Sequence, residues 1–131
     1  MSKNKKKKEP TPRNSFERVL DKAFHSLSNE MKFDYKYEPE TFNVKVDVTY
    51  KPDFIAETKV GKVIVEGKGY FRDEDRKKVL AFTQQYPDYK YHIVFERDNA
   101  IYKGSKYKYS DWCTKHGISY SVKSLPKELF E

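Results

Sequence analysis

Asp53 and the triplet Glu66-Gly67-Lys68 carry the side chains best suited to chemistry in this sequence. Asp53 stands in Tyr50-Lys51-Pro52-Asp53-Phe54, and Glu66 follows the apolar run Val63-Ile64-Val65. In an extended strand, side chains two residues apart point to the same face. Glu66 and Lys68 therefore project together, and Gly67 faces the other way. A neighbouring strand carrying Asp53 would bring two carboxylates and an ammonium to one point. Hard oxygen donors of this kind suit Mg²⁺, which usually keeps several of its waters. An ion so held activates a water and neutralises charge on a phosphate. The Gly67 backbone carbonyl is a further candidate ligand. Lys68 can orient the attacking water or stabilise developing charge, and the nearby carboxylates should keep it protonated when no metal is bound. Phosphodiester hydrolysis needs this set of groups.

Other candidates compete. Glu57-Thr58-Lys59 repeats the Glu-x-Lys spacing, but it abuts the turn expected at Gly61 and lacks an apolar run before it. Asp47 has no Glu-x-Lys in matching register and reads as a solvent-facing charge. Glu17 has two readings. It is three residues after Asn14, which makes it the partner in a capping box. It also borders an apolar helix face, from which it can point into a site. Cys113 and His116 suggest a nucleophilic pair, but a small apolar residue packed on a short helix is the simpler account of Cys113. His25 reads as a surface residue.

The elements that must position these groups follow from periodicity. Asn14 to about Ser28 is a helix with Phe16, Val19, Leu20, Ala23, Phe24 and Leu27 on one stripe. Phe33, Tyr35 and Tyr37 mark a half-buried strand closed by Pro39. Phe42 to Tyr50 alternates without interruption and predicts one continuous strand. Asp53 to Ala56 and Lys62 to Lys68 are strands around the Gly61 turn. Asp73 to Tyr86 is a second helix, with Arg72, Arg76, Lys77 and Lys78 near its start. This cluster fits either phosphate contact or a solvated face balanced by Asp73, Glu74 and Asp75. Tyr91 to Phe95 is an interior strand. The loop from Lys103 to Tyr109 interleaves Lys103, Lys106 and Lys108 with tyrosines, which suits nucleic acid or aromatic packing equally. Asp111 to His116 is a short helix capped by Gly117, and Ile118 to Val122 is a last strand. Leu125 to Phe130 can form a closing helical turn.

The 131 residues fit one domain. Residues 1–12 form a basic tail too polar to bury, whose Lys3 and Lys5 to Lys8 fit either a phosphate backbone or solvent. Residues 13–131 form the folded part. Charged residues make up 36%, but 11 Tyr and 9 Phe supply core volume, and oligomerisation would add burial. The net charge of +7 favours polyanionic partners, nucleic acid first. One cysteine excludes an internal disulfide and fits a reducing compartment, and no apolar stretch approaches the roughly 20 residues that span a bilayer.

The Pro-Asp…Glu-x-Lys pattern resembles the signature of the restriction-endonuclease-like nuclease superfamily. A closer resemblance, from about Arg13 to the end, is to the phage endonuclease I family, the Holliday-junction resolving enzymes of short-tailed phages. It rests on Arg13 to Glu17, Tyr50 to Phe54, Val65 to Gly69, Asp75 to Lys78, Ile93 to Phe95, Tyr102 to Ser105 and Lys115 to Ile118. The resemblance implies an α/β fold: a mixed sheet flanked by helices, in a strand-exchanged, intertwined homodimer bridged by residues 42–50. It implies a Mg²⁺-dependent endodeoxyribonuclease, with Mn²⁺ substituting, that cuts four-way and other branched DNA in the cytoplasm of an infected bacterium. Carried over, Glu17 of one chain joins Asp53, Glu66 and Lys68 of the other. Metal would sit on Asp53, Glu66 and the Gly67 carbonyl, with Glu17 a further ligand or a water-positioning group. Arg13, Arg72, Arg76, Lys77, Lys78, Lys103 and Lys106 would meet DNA. A sequence-specific restriction or nicking enzyme and a non-catalytic branched-DNA binder are the alternatives.

Overall fold

A computed structural model describes residues 9–44 and 48–131. Five strands form one mixed sheet: β1 (Asp34–Tyr37), β4 (Phe54–Thr58), β5 (Gly61–Lys68), β6 (Lys90–Phe95) and β7 (Ser119–Val122), in that spatial order. β4 runs antiparallel to both of its neighbours, β1 and β5, while β5, β6 and β7 are mutually parallel. The β4–β5 connection is a tight turn in which Gly61 takes a φ of 101°, a conformation that favours glycine. The parallel pairs require crossovers, which the helices α2 (Asp73–Gln85) and α3 (Tyr109–His116) supply.

The strand β5 is the centre of the molecule. Val63, Ile64 and Val65 are fully buried because both sheet faces are covered. On one face, α1 (Ser15–Met31) and the final 3-10 turn (Lys127–Phe130) cover Phe54, Ala56, Val63, Val65 and Val94. On the other, α2, α3 and a separate hairpin cover Ile55, Ile64, Ile93 and Phe95. Aromatic rings fill both layers. Phe24 stacks on Phe54, and Phe71 packs edge-on against Trp112.

The hairpin departs from expectation. In place of one continuous strand over 42–50, β2 (Phe42–Val44) pairs antiparallel with β3 (Val48–Tyr50). Phe42, Val44 and Tyr50 turn inward onto Phe82 and its neighbours, and their burial holds the two short strands against the core. Lys45, Val46 and Asp47 lie outside the described residues, as do Lys3 and Lys5 to Lys8 of the tail. Helix α1 runs three residues beyond Ser28 because Leu27 and Met31 continue the apolar stripe, and Lys32 closes it in the left-handed conformation. Val19, expected on that stripe, is exposed.

Candidate active site

Pairing in the sheet brings the predicted cluster together. β4 begins at Phe54 opposite Val65, so Asp53 lies just before the first pair, beside Glu66 and Gly67. The Gly67 N–H donates to Asp53 Oδ2 at 2.9 Å, and the Asp53 N–H donates to Glu66 Oε1 at 3.1 Å. Lys68 Nζ lies 3.7 Å from Glu66 Oε2 and 3.6 Å from Asp75 Oδ1. Asp75, at the start of α2, also accepts from the Arg72 N–H. These groups line a cavity of about 260 Å³ with Thr41, Thr49, Tyr50, Lys51 and Lys78. Three lysines thus surround a knot of acids at the open end of β5.

The electrostatics are those of a site short of positive charge. Burial, then the Glu66 carboxylate, pushes the Asp53 carboxyl up to about 9, against the opposing bond from the Gly67 N–H. Asp53 therefore keeps its proton at neutral pH. Burial alone would lower the Lys68 ammonium, but Glu66, Asp75 and Asp53 outweigh it and raise its pKa. The donor set suits a hard divalent cation. It offers two carboxylates, and the Gly67 carbonyl faces the same strand edge as the N–H bonded to Asp53. Among the described residues, no three His, Cys, Asp or Glu side chains form a closed cage. An ion here would keep several waters, as Mg²⁺ does.

Glu66 is 2% exposed, and its Oε1 also accepts from the Tyr50 hydroxyl at 2.5 Å. The Tyr50 hydroxyl lies 2.6 Å from that of Tyr91. Since Tyr50 has one proton and gives it to Glu66, Tyr91 donates to Tyr50. Alternation of the sequence places both tyrosines on an apolar face and gives no sign of this network. The only hint is that a buried phenol needs a partner.

Glu17 does not enter this cavity. It lies in a second recess with Asn14, Ser15, Phe16, Gly67, Gly69 and Glu96, on the α1 side of β5. The capping reading holds in part. Asn14 caps α1, its Oδ1 accepting the Glu17 N–H at 2.8 Å. The Glu17 carboxylate, however, takes the Arg13 N–H at 3.0 Å and the Tyr37 hydroxyl at 2.6 Å, in place of the Asn14 N–H of a full capping box. Gly67 separates the two recesses. A Cβ there would meet Leu20 Cδ2 at 3.1 Å and Phe16 Cε2 at 3.2 Å, so glycine is what lets α1 approach. Beside this recess Glu38 is buried with a φ of 47°, neutralised by a two-bond pair with Arg13 and by Lys51 at 3.7 Å.

The predicted basic residues divide. Arg72, Lys103 and Lys106 are exposed, and Lys77 is exposed while pairing with Asp73 at 3.2 Å. Lys78 lines the acidic cavity. Arg76 is spent inside the fold, donating to the Phe71 carbonyl and lying 3.7 Å from Asp73. In the basic loop, Tyr109 is buried, but Tyr102 and Tyr107 are exposed. Glu57 and Lys59 are exposed at the turn end of β4, away from the cluster. Burial lifts the Cys113 thiol to about 12, which fits a packed, inert cysteine.

The family model for phage endonuclease I matches residues 1–131, the full length of the sequence. The chain belongs to the phage endonuclease I family. Endodeoxyribonuclease 1 of Enterobacteria phage T3 is 34% identical over 109 residues, covering 81% of this chain and 70% of that protein. Endonuclease I of Escherichia phage T7 is 34% identical over 111 residues, covering 82% and 72%. The fold recurs in the crystal structure of AF1548, a protein of unknown function, with a TM-score of 0.54 and 16% identity. That match covers 88% of this chain and 61% of the other. In this phage endonuclease I family member, no helix of the described residues is long and apolar enough to cross a membrane.

Proposed function

We propose that this chain is a Mg²⁺-dependent endodeoxyribonuclease, with Mn²⁺ able to substitute, that cuts four-way junctions and other branched DNA. The reading is carried by the convergence of Asp53, Glu66 and Lys68 at the end of β5 in a chain of this family. Asp53, Glu66 and the Gly67 carbonyl would hold the ion, which when bound supplies an activated water and neutralises phosphate charge. The residues of the chain do the rest. Tyr50 and the Asp53 N–H fix the Glu66 carboxylate, and the Gly67 N–H fixes Asp53. Lys68, kept charged by its acidic neighbours, orients a water or stabilises charge developing on the phosphate. Lys51 and Lys78 offer cations to the flanking phosphates.

The working unit is a homodimer whose subunits exchange their N-terminal parts, so that Glu17 of one chain completes the site of the other. The hairpin register supports this. Phe42 pairs with Tyr50, Asn43 with Thr49 and Val44 with Val48, all symmetric about position 46. Two copies of an unbroken 42–50 strand, related by a two-fold axis at 46, would form the same pairs between chains, so exchange would cost none of them. Two sites in one dimer can cut opposing strands of a junction, which makes shape the feature read. The setting would be the cytoplasm of an infected bacterium.

The test is incubation of purified protein with a synthetic four-way junction and with a linear duplex of equal length, with Mg²⁺ or Mn²⁺. Preferential, metal-dependent cutting of the junction is expected. Equal cutting of both, or none, removes the reading.

A further inference from the structure

Two glutamates on opposite sides of Gly67 are held in the same way. Glu66 Oε1 accepts one tyrosine hydroxyl, Tyr50 at 2.5 Å, and one backbone N–H, Asp53 at 3.1 Å. Glu17 Oε1 accepts one tyrosine hydroxyl, Tyr37 at 2.6 Å, and one backbone N–H, Arg13 at 3.0 Å. Among the described residues no N–H or hydroxyl group donates to Oε2 of either; the Asp53 carboxyl also bonds to the Glu66 side chain, and the cation nearest Glu66 Oε2 is Lys68 at 3.7 Å. All four residues are buried, so neither contact is a chance encounter of mobile side chains.

We propose that Tyr50 and Tyr37 are positioning residues, each pinning Oε1 of one glutamate so that Oε2 is held pre-oriented, that of Glu66 for the ion of the nuclease site and that of Glu17 for a water or phosphate in the adjoining recess across Gly67. A carboxylate free to rotate would have to be ordered when the ligand arrives, and a hydrogen bond to one oxygen removes that cost beforehand. Phenols suit the task because they donate without adding charge to a site that must attract a cation. Burial also keeps both hydroxyls protonated, since both phenols are shifted upward. Tyr91 extends the device on the Glu66 side by donating to Tyr50.

The arrangement also survives exchange. Arg13, Glu17 and Tyr37 all precede residues 45–47, while Tyr50, Asp53, Glu66 and Tyr91 all follow them. If subunits exchange N-terminal parts through that segment, each glutamate travels with its own donors. The two halves of a shared site are then each pre-formed before they meet.

The proposal rests on the nuclease reading above, and its test separates the two. Mn²⁺ binding to metal-free protein is measured by calorimetry, and junction cutting is measured over a Mg²⁺ series. Tyr50→Phe is expected to weaken Mn²⁺ binding about tenfold, with cutting largely recovered at high Mg²⁺. Tyr37→Phe should leave Mn²⁺ affinity unchanged and lower kcat about tenfold with KM for the junction unaltered. Wild-type Mn²⁺ affinity in folded Tyr50→Phe overturns the proposal, and so does wild-type kcat in Tyr37→Phe. If Tyr50→Phe does not fold, Tyr91→Phe replaces it. Losing the second phenol should weaken Mn²⁺ binding about threefold, and an unchanged affinity overturns the proposal. Wild-type protein that neither binds Mn²⁺ nor cuts removes the nuclease reading and the proposal together. Wild-type protein that does both, beside unaffected tyrosine variants, removes the proposal alone.

Discussion

Glu66 and Glu17 stand on opposite sides of the same glycine and are bonded alike, yet their surroundings differ. Glu66 is crowded by Asp53 and shares Lys68 with Asp75, so acids outnumber the ammonium at their centre. Among the described residues no second acid is hydrogen-bonded to Glu17, although Glu96 lines the same recess, and the Arg13 guanidinium over the neighbouring Tyr37 ring is paired with Glu38. The Glu66 side thus gathers more acid than cation, and burial followed by the Glu66 charge raises the Asp53 carboxyl. The Glu17 carboxylate is held by two neutral donors, and the guanidinium nearest it is taken up by Glu38. A residue of the first kind suits direct ion binding, and one of the second suits a contribution made after the ion is in place.

Substitution at the two positions should separate them most widely. Glu66→Gln removes a charged ligand atom while keeping the shape and the acceptor for Tyr50. Cutting of the four-way junction should fall about a thousandfold or more, an effect on the scale of losing a main electrostatic group. Binding of the uncut junction, measured by gel shift without metal, should remain. Glu17→Gln should slow cutting but leave Mn²⁺ affinity intact. Equal loss of ion affinity in the two variants would erase the distinction drawn here, and unchanged cutting in Glu66→Gln would move the site elsewhere.

The pH dependence of stability gives a second separation. A carboxyl whose pKa is raised on folding favours the protonated native state. Unfolding then releases a proton once the pH exceeds the ordinary value for Asp of about 4. Metal-free protein should therefore lose stability as pH rises from there, until the native Asp53 also ionises at about 9. Mg²⁺ bound at the site would favour the ionised Asp53, so its stabilising effect should grow with pH. Melting temperatures measured with EDTA and with Mg²⁺ from pH 5 to about 9 check this. Asp53→Asn should flatten the metal-free slope. A slope that persists in Asp53→Asn would place the responsible group elsewhere.

What could be read from sequence follows the same division. Asp53, Glu66 and Lys68 were legible because strand periodicity fixes which side chains share a face, and β4–β5 pairing needed only the turn at Gly61. Asn14 as the cap of α1 was legible for the same local reason. The hairpin was not. The alternation of Phe42 to Tyr50 runs on through Lys45, Val46 and Asp47 with no glycine or proline to mark a reversal. The tyrosine donors were hidden because periodicity counts a tyrosine as apolar, and what its hydroxyl meets depends on strands distant in sequence. Tyr50 and Tyr91 are 41 residues apart. The role of Glu38, reached by Arg13 from 25 residues away, was hidden for the same reason.

Gly67 is where the two sides touch, and it offers the smallest but most selective perturbation. Its N–H serves Asp53, and its missing side chain makes room for Phe16 and Leu20. Gly67→Ala keeps the N–H and adds a methyl that both apolar side chains must yield to by a few tenths of an ångström. Its backbone is ordinary β-strand, so the effect is one of packing alone. Overpacking of this kind costs about 1–3 kcal/mol, readable as a shift in the urea midpoint. Because Phe16 immediately precedes Glu17, the start of α1 should move while Asp53 and Glu66 stay in place. Gly67→Ala should therefore resemble Tyr37→Phe, with lower kcat and unaltered Mn²⁺ affinity. A loss of ion affinity instead would mean that the Gly67 backbone, carbonyl included, had shifted, and that the two glutamates are coupled through β5.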